Sequence, residues 1–304
     1  MSSSWPNGHP FVLALSHDVD RVAKRWQFLY YVGQALACRR LDQLKQQIQS
    51  LGELARGDDP YWNFQRIMAL EDELGVRSTF FFLDEQGKAS LTNPQSMVLF
   101  WGRYRLDDPR IQKAIQGLDT GGWEIGLHGS FHSYLDQAVL GREKQRLEAI
   151  LGYAVAGIRQ HYLKLEIPET WRIHARLGFT YDSTLGYSDR VGFRWEAWFP
   201  FYPIDPLTGE KIPVLQIPLA IMDRPLMRCW NPWSEALHLI DSVEAIGGVL
   251  TLSWHQRVFN PWESEDYQGM YIRIVQECQR RGAWVVPLGR LVEWWQAQEL
   301  LPIA

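Results

Sequence analysis

Cysteine is scarce, with only Cys38, Cys229 and Cys278 in 304 residues. Three scattered thiols exclude a disulfide framework and a thiolate zinc site, and they suit a reducing compartment. No run of eighteen apolar residues occurs, so there is no candidate transmembrane helix. The opening Met-Ser-Ser-Ser-Trp-Pro has neither the basic region nor the apolar core of a secretory signal, and a cytoplasmic location is expected. The formal net charge is −4 and no basic block is present, which argues against nucleic acid or an anionic membrane as partner. No Pro/Gly/Ser linker, internal repeat or low-complexity tract divides the chain, so residues 1–304 are read as one domain.

Aromatic residues, by contrast, are plentiful, with 15 tryptophans. Trp195, Trp198, Trp230, Trp233 and Trp262 lie beside polar residues in expected loops. Rings near a cleft suit sugar faces or other flat ligands, and packing at a barrel rim competes with that reading. The most aromatic stretch runs from Gly192-Phe-Arg194-Trp195 to Trp198-Phe-Pro-Phe-Tyr202. It is a candidate substrate-facing rim, with hydrophobic sealing of the barrel mouth weighed equally.

The chain is organised around Phe11-Val-Leu-Ala-Leu-Ser-His-Asp-Val-Asp20. Five apolar residues in succession predict a strand buried on both faces, and charge is concentrated at its C-terminal end. Alternation along a strand places Asp18 and Asp20 on one side, with His17 and Val19 on the other. Paired carboxylates repel unless a proton or cation lies between them, so a site explains them better than a polar turn. His17 is expected in the core or behind the ligands.

Further apolar strands are expected at 78–83, 123–127, 155–158, 179–182, 214–221, 248–255 and 283–287, with Pro218 marking an edge or bulge. Helical periodicity fills the intervals, and 21–75 reads as a largely helical insertion after the first strand. A long link containing Asn93-Pro94 precedes the next helix. Such alternation implies parallel strands in a β/α barrel or an open doubly wound sheet. Asp18 and Asp20, His128 and His132, Arg159 and His161, Asp182 and His255 each follow an apolar strand. In a barrel that gathers them on one face. His128 and His132 stand four apart, and two imidazoles with one carboxylate leave a coordination position for water on a catalytic metal. Such an ion makes water a nucleophile near neutral pH.

Asp18-Val19-Asp20, His128-x-x-x-His132, Arg159 in Gly-Ile-Arg-Gln-His161, and Leu252-Ser-Trp254-His255 together resemble the successive motifs of the polysaccharide deacetylase superfamily (NodB-like, carbohydrate esterase family four). The resemblance spans residue 11 to about 290. It implies a distorted (β/α)7 barrel and removal of N-acetyl or O-acetyl groups with one divalent metal. Zinc is expected foremost, with cobalt, nickel, manganese and iron as alternatives. The resemblance further implies that Asp20, His128 and His132 hold the metal and that Asp18 is the general base. Arg159 would pair with Asp18, and His255 would protonate the leaving group with Asp182 or Asp189 orienting it. Arg194, Trp195 and Trp254 are candidate substrate contacts.

Two departures stand out. Val19 separates aspartates that are adjacent in the common pattern, and His161 replaces the usual proline after the motif arginine. His161 is read as an extra ligand, a substrate contact or a buried histidine. The expected activity is hydrolysis of an acyl group, foremost N-acetyl, from an amino sugar or glycan precursor. Two alternatives are an amidohydrolase acting on a small non-sugar amide and a non-catalytic glycan-binding module.

Overall fold

The computed structural model describes residues 5–25, 27–86, 103–262 and 266–299, and the Asn93-Pro94 part of the expected link lies outside them. The first strand, β1 (Val12–Val19), is buried along its whole length. It continues past the apolar run because each polar residue in it is satisfied: Ser16 Oγ donates to the Leu252 carbonyl at 2.8 Å, and His17 bridges the Trp254 carbonyl and Glu71. Alternation then divides the core. Val12 and Ala14 face the interior with Phe81, Tyr181 and Ile217, whereas Phe11, Leu13, Leu15 and Val19 face the helices.

The remaining strands are β2 (Thr79–Leu83), β3 (Glu124–Gly129), β4 (Gly157–Gln160), β5 (Tyr181–Asp182), β6 (Leu215–Gln216), β7 (Ile221–Met222), β8 (Val249–Ser253) and β9 (Trp284–Pro287). All pairings are parallel, in the order β6-β5-β4-β3-β2-β1-β8-β7. β9 pairs with β1 over Val12–Leu15, and β2 pairs with it from Ser16 to Val19. The expected strand 214–221 is broken at Pro218, which has no N–H to donate. Its first half, β6, bonds to β5 and its second half, β7, to β8. One segment thus joins both edges of the sheet and curls it into a distorted (β/α)7 barrel, since β1 to β5, the broken strand and β8 make seven.

Region 21–75 contains α1 (Gln27–Ala37), α2 (Leu41–Arg56) and α3 (Phe64–Leu74). α1 and α2 pack on each other. α3 is the crossover between β1 and β2, burying Phe64, Ile67 and Leu70 at helical spacing and ending at left-handed Gly75. Later crossovers include α4 (Pro109–Thr120), capped by Asp108, and α5 (Gln137–Leu151), capped by Asp136. They also include α6 (Glu169–Arg176), α7 (Asp223–Met227), α8 (Pro232–Ile246) and α9 (Tyr267–Arg280), with α10 (Leu288–Glu299) closing the chain. Much of the aromatic content seals the N-terminal end of the strands, where Phe199, Tyr202, Trp284, Trp294 and Trp295 pack around buried Trp5 and the interior cluster. Among the described residues no helix is long and apolar enough to cross a membrane.

Candidate active site

Asp18 points into the barrel from β1 and is almost fully buried. Arg159, on β4, donates to Asp18 Oδ1 at 2.7 Å and Ser253, on β8, donates to Oδ2 at 3.0 Å. Burial would raise the Asp18 pKa, but the charge of Arg159, helped by His128 and His255, brings it down to about 2. The guanidinium is itself fixed by the Ser183 carbonyl, Ser183 Oγ and Ser16 Oγ, and lies 4.6 Å from the centre of the Phe81 ring. Asp18 therefore stays ionised throughout the physiological range, with its orientation set from three strands.

Asp20 follows β1 on the same side, and its oxygens have different surroundings. Oδ2 accepts from Arg257 at 2.9 Å and lies 3.3 Å from His255 Nε2. Oδ1 lies 3.3 Å from His128 Nε2 and 3.6 Å from His161 Nε2, yet it is buried without a hydrogen bond. His128 Nδ1 faces the Arg159 carbonyl at 2.9 Å. A carbonyl only accepts, so Nδ1 carries a proton and Nε2 is the nitrogen turned toward Asp20. Burial pushes His161 down to about 3, which keeps it neutral. Two imidazoles and an orphaned carboxylate oxygen, with ligand atoms within 4.8 Å of one another, fit a divalent cation.

His255 follows β8, and its Nδ1 contacts both Asp223 oxygens at 2.8 and 2.9 Å. Burial alone would lower its pKa, but Asp223 outweighs that and raises it to about 9. The ring is thus a proton donor at neutral pH. Asp18, Asp20, His128, His161 and His255 all line one cavity of about 180 Å³ at the C-terminal ends of the strands.

Several sequence expectations are corrected here. His132 is exposed, edge-on to Phe131 at 4.9 Å, and does not belong to the donor cluster. Spacing of four aligns rings only on a helix, whereas His128 ends a strand and His132 precedes a 3-10 turn. His161 is the third donor instead. Neither Asp182 nor Asp189 reaches His255: Asp182 accepts from the Thr184 backbone and faces buried His174 at 3.4 Å, and Asp189 is exposed. Asp223, which begins α7, fills that role.

Trp254 is fully buried against Tyr267 and Tyr271, so it is a core residue rather than a substrate contact. Half-exposed Trp195 lies against Trp171, and neither it nor Arg194 lines the cavity. His17 lies on the far side of β1 from Asp18, as alternation required, held by Glu71 on α3. Sequence reasoning missed Ser16, Ser253, Asp223 and Arg257. Ser253 and Arg257 flank His255 by two residues each, which was the one available signal.

No protein-family model and no curated protein sequence matches the chain. Solved structures do. A protein of Mycobacterium smegmatis assigned as a polysaccharide deacetylase superposes with a TM-score of 0.60 at 21% identity, over 98% of this chain and 94% of that one. One assigned likewise from Pseudomonas aeruginosa PAO1 gives 0.62 at 16% identity, over 98% and 95%. The fold is that of the polysaccharide deacetylases. It is not confined to sugar chemistry, since the Puue allantoinase superposes at 0.61 with 15% identity, over 98% of this chain and 94% of that one. In this fold Asp20, His128 and His161 lie at the ends of β1, β3 and β4, and His255 just past the end of β8.

Proposed function

We propose that this protein is a metal-dependent hydrolase that removes an acyl group, foremost N-acetyl, from an amino sugar or glycan precursor. The observation that carries this reading is the division of labour around Asp20. One neighbouring carboxylate is kept ionised by Arg159, and one neighbouring histidine is kept protonated by Asp223. Acyl transfer by water needs such a pair, a base for the attacking water and an acid for the leaving nitrogen.

Asp20, His128 and His161 would hold the cation, which supplies a Lewis acid for the acyl oxygen and for water. Asp18 takes the proton from the attacking water, since it is ionised and has no proton of its own to give. Arg159 fixes the direction of its carboxylate and, through its own carbonyl, the ring of His128. His255 delivers a proton from Nε2 to the departing nitrogen, while Asp223 at Nδ1 stabilises the charged ring. A binding module needs neither ionised Asp18 nor protonated His255. The likeness to an allantoinase keeps a small non-sugar amide as a second reading.

The test is metal content by mass spectrometry together with acetate release from N-acetylated sugars. One equivalent of a transition metal in the wild type, lost in His128→Ala, is the expected result. A wild type that takes up no metal after soaking in zinc defeats the proposal.

A further inference from the structure

In a chain of net charge −4, the same cavity is lined by four arginines: Arg21, Arg224, Arg228 and Arg257. The carboxylates at the cavity do not account for all of them. Asp18 is engaged by Arg159, Asp223 by His255 and Asp20 by Arg257. Arg224 and Arg228 are exposed, and their guanidinium groups have no ion pair or hydrogen bond among the described residues. They stand four apart at α7, close to one helical turn, and both border the same opening. Like charges gathered around one opening repel, and the arrangement becomes favourable only when an opposite charge enters.

We propose that the substrate is anionic, an acyl compound carrying a carboxylate or phosphate that Arg224 and Arg228 grip, with Arg21 and Arg257 deepening the field. This deepens the hydrolase reading and rests on it for the word substrate. Arg224 and Arg228 line the same cavity as His255, the group that protonates the leaving atom in the hydrolase reading, and the proposal places the anion on the released amine or alcohol. Guanidinium groups suit the task, because their planar forks pair with carboxylate and phosphate oxygens two at a time.

Calorimetric titration at low salt tests the inference without turnover. The probes are inorganic phosphate and three deacylated sugars: glucosamine, glucosamine 6-phosphate and muramic acid. The proteins are the wild type and Arg224→Gln/Arg228→Gln, whose fold is checked by circular dichroism. The expected result is that at least one acidic sugar binds about tenfold or more tightly than glucosamine. That preference should weaken with salt and vanish in the double variant, which separates the arginines from any bound cation. The better of the two acids tells phosphate from carboxylate.

Equal affinity for the three sugars, no anion binding at all, or a preference that survives in the double variant overturns the anionic subsite. Acetate release from the N-acetylated forms is followed in parallel. Preference for the acids with no acetate released from any of them leaves the subsite standing and removes the hydrolase reading. Hydrolysis of neutral N-acetylglucosamine without that preference does the reverse.

Discussion

At the scale of single residues, the site is a set of charges whose states are fixed by neighbours. The Asp18 carboxyl is held at about 2, below its ordinary 3.8, so the pair with Arg159 stabilises the fold fully above about 4 and loses that contribution as pH falls toward 2. Arg159→Met leaves the carboxylate buried without its partner, and a stability loss of about 3–5 kcal/mol is expected by urea denaturation. In that variant the Asp18 pKa rises, so activity should fall in mild acid where the wild type keeps it. His255 sets the opposite limit. It is held protonated to about 9, and the rate should decline as pH climbs through that value. A cation beside Asp20 draws this limb lower, and Asp223→Asn draws it lower still. A pH–rate profile whose alkaline limb is unmoved in Asp223→Asn speaks against His255 as the acid. Asp18, Arg159 and His255 were legible because each ends an apolar strand. Asp223 was not, since it opens a five-residue helix after a strand broken by proline. His161 was legible only as one candidate extra ligand, because the motif resemblance and the spacing of four from His128 both pointed to His132.

At the scale of elements, the sequence located the strands but stopped several of them too early. β3 and β4 run two residues beyond the expected ends, through His128 and Gly129 and through Arg159 and Gln160. Polar side chains extend a strand when partners await them inside, as Ser16 and Ser183 await Arg159 and His174 awaits Gln160. No apolar pattern announces such partners. One contact carries this packing to the chemistry. A Cβ on Gly126 of β3 would lie 2.5 Å from the Phe81 ring, on which the Arg159 guanidinium rests. Gly126→Ala must push that ring, at a cost of roughly 1–3 kcal/mol by urea denaturation. Turnover should drop more than the lost stability explains, because Asp18 moves with its arginine. Unchanged kcat in a folded Gly126→Ala protein removes this link between Phe81 and Asp18.

At the scale of the whole molecule, the expected barrel is present, closed by a strand that a proline divides between two edges. Closure was beyond periodicity, since pairing across the ring leaves no local signature. The three donors come from strand ends that only the folded barrel brings together. A cation should therefore bind the native state alone and raise its stability, by about 2.7 kcal/mol at a hundredfold excess over Kd. Thermal unfolding should show a zinc-dependent rise in Tm for wild type and for His132→Ala, and none for His161→Ala. A rise lost in His132→Ala instead would restore the sequence expectation.

The position of β1 has a consequence for synthesis. It leaves the ribosome more than two hundred residues before its partners β8 and β9, so its pairing is incomplete until residue 287 has emerged. Until then β2 covers only Ser16 to Val19, and the apolar half of β1 has an open edge of the kind that captures other chains. Nascent protein that stalls before β8 should thus aggregate or occupy a chaperone rather than wait as a partial barrel, and C-terminal truncation should give insoluble chain.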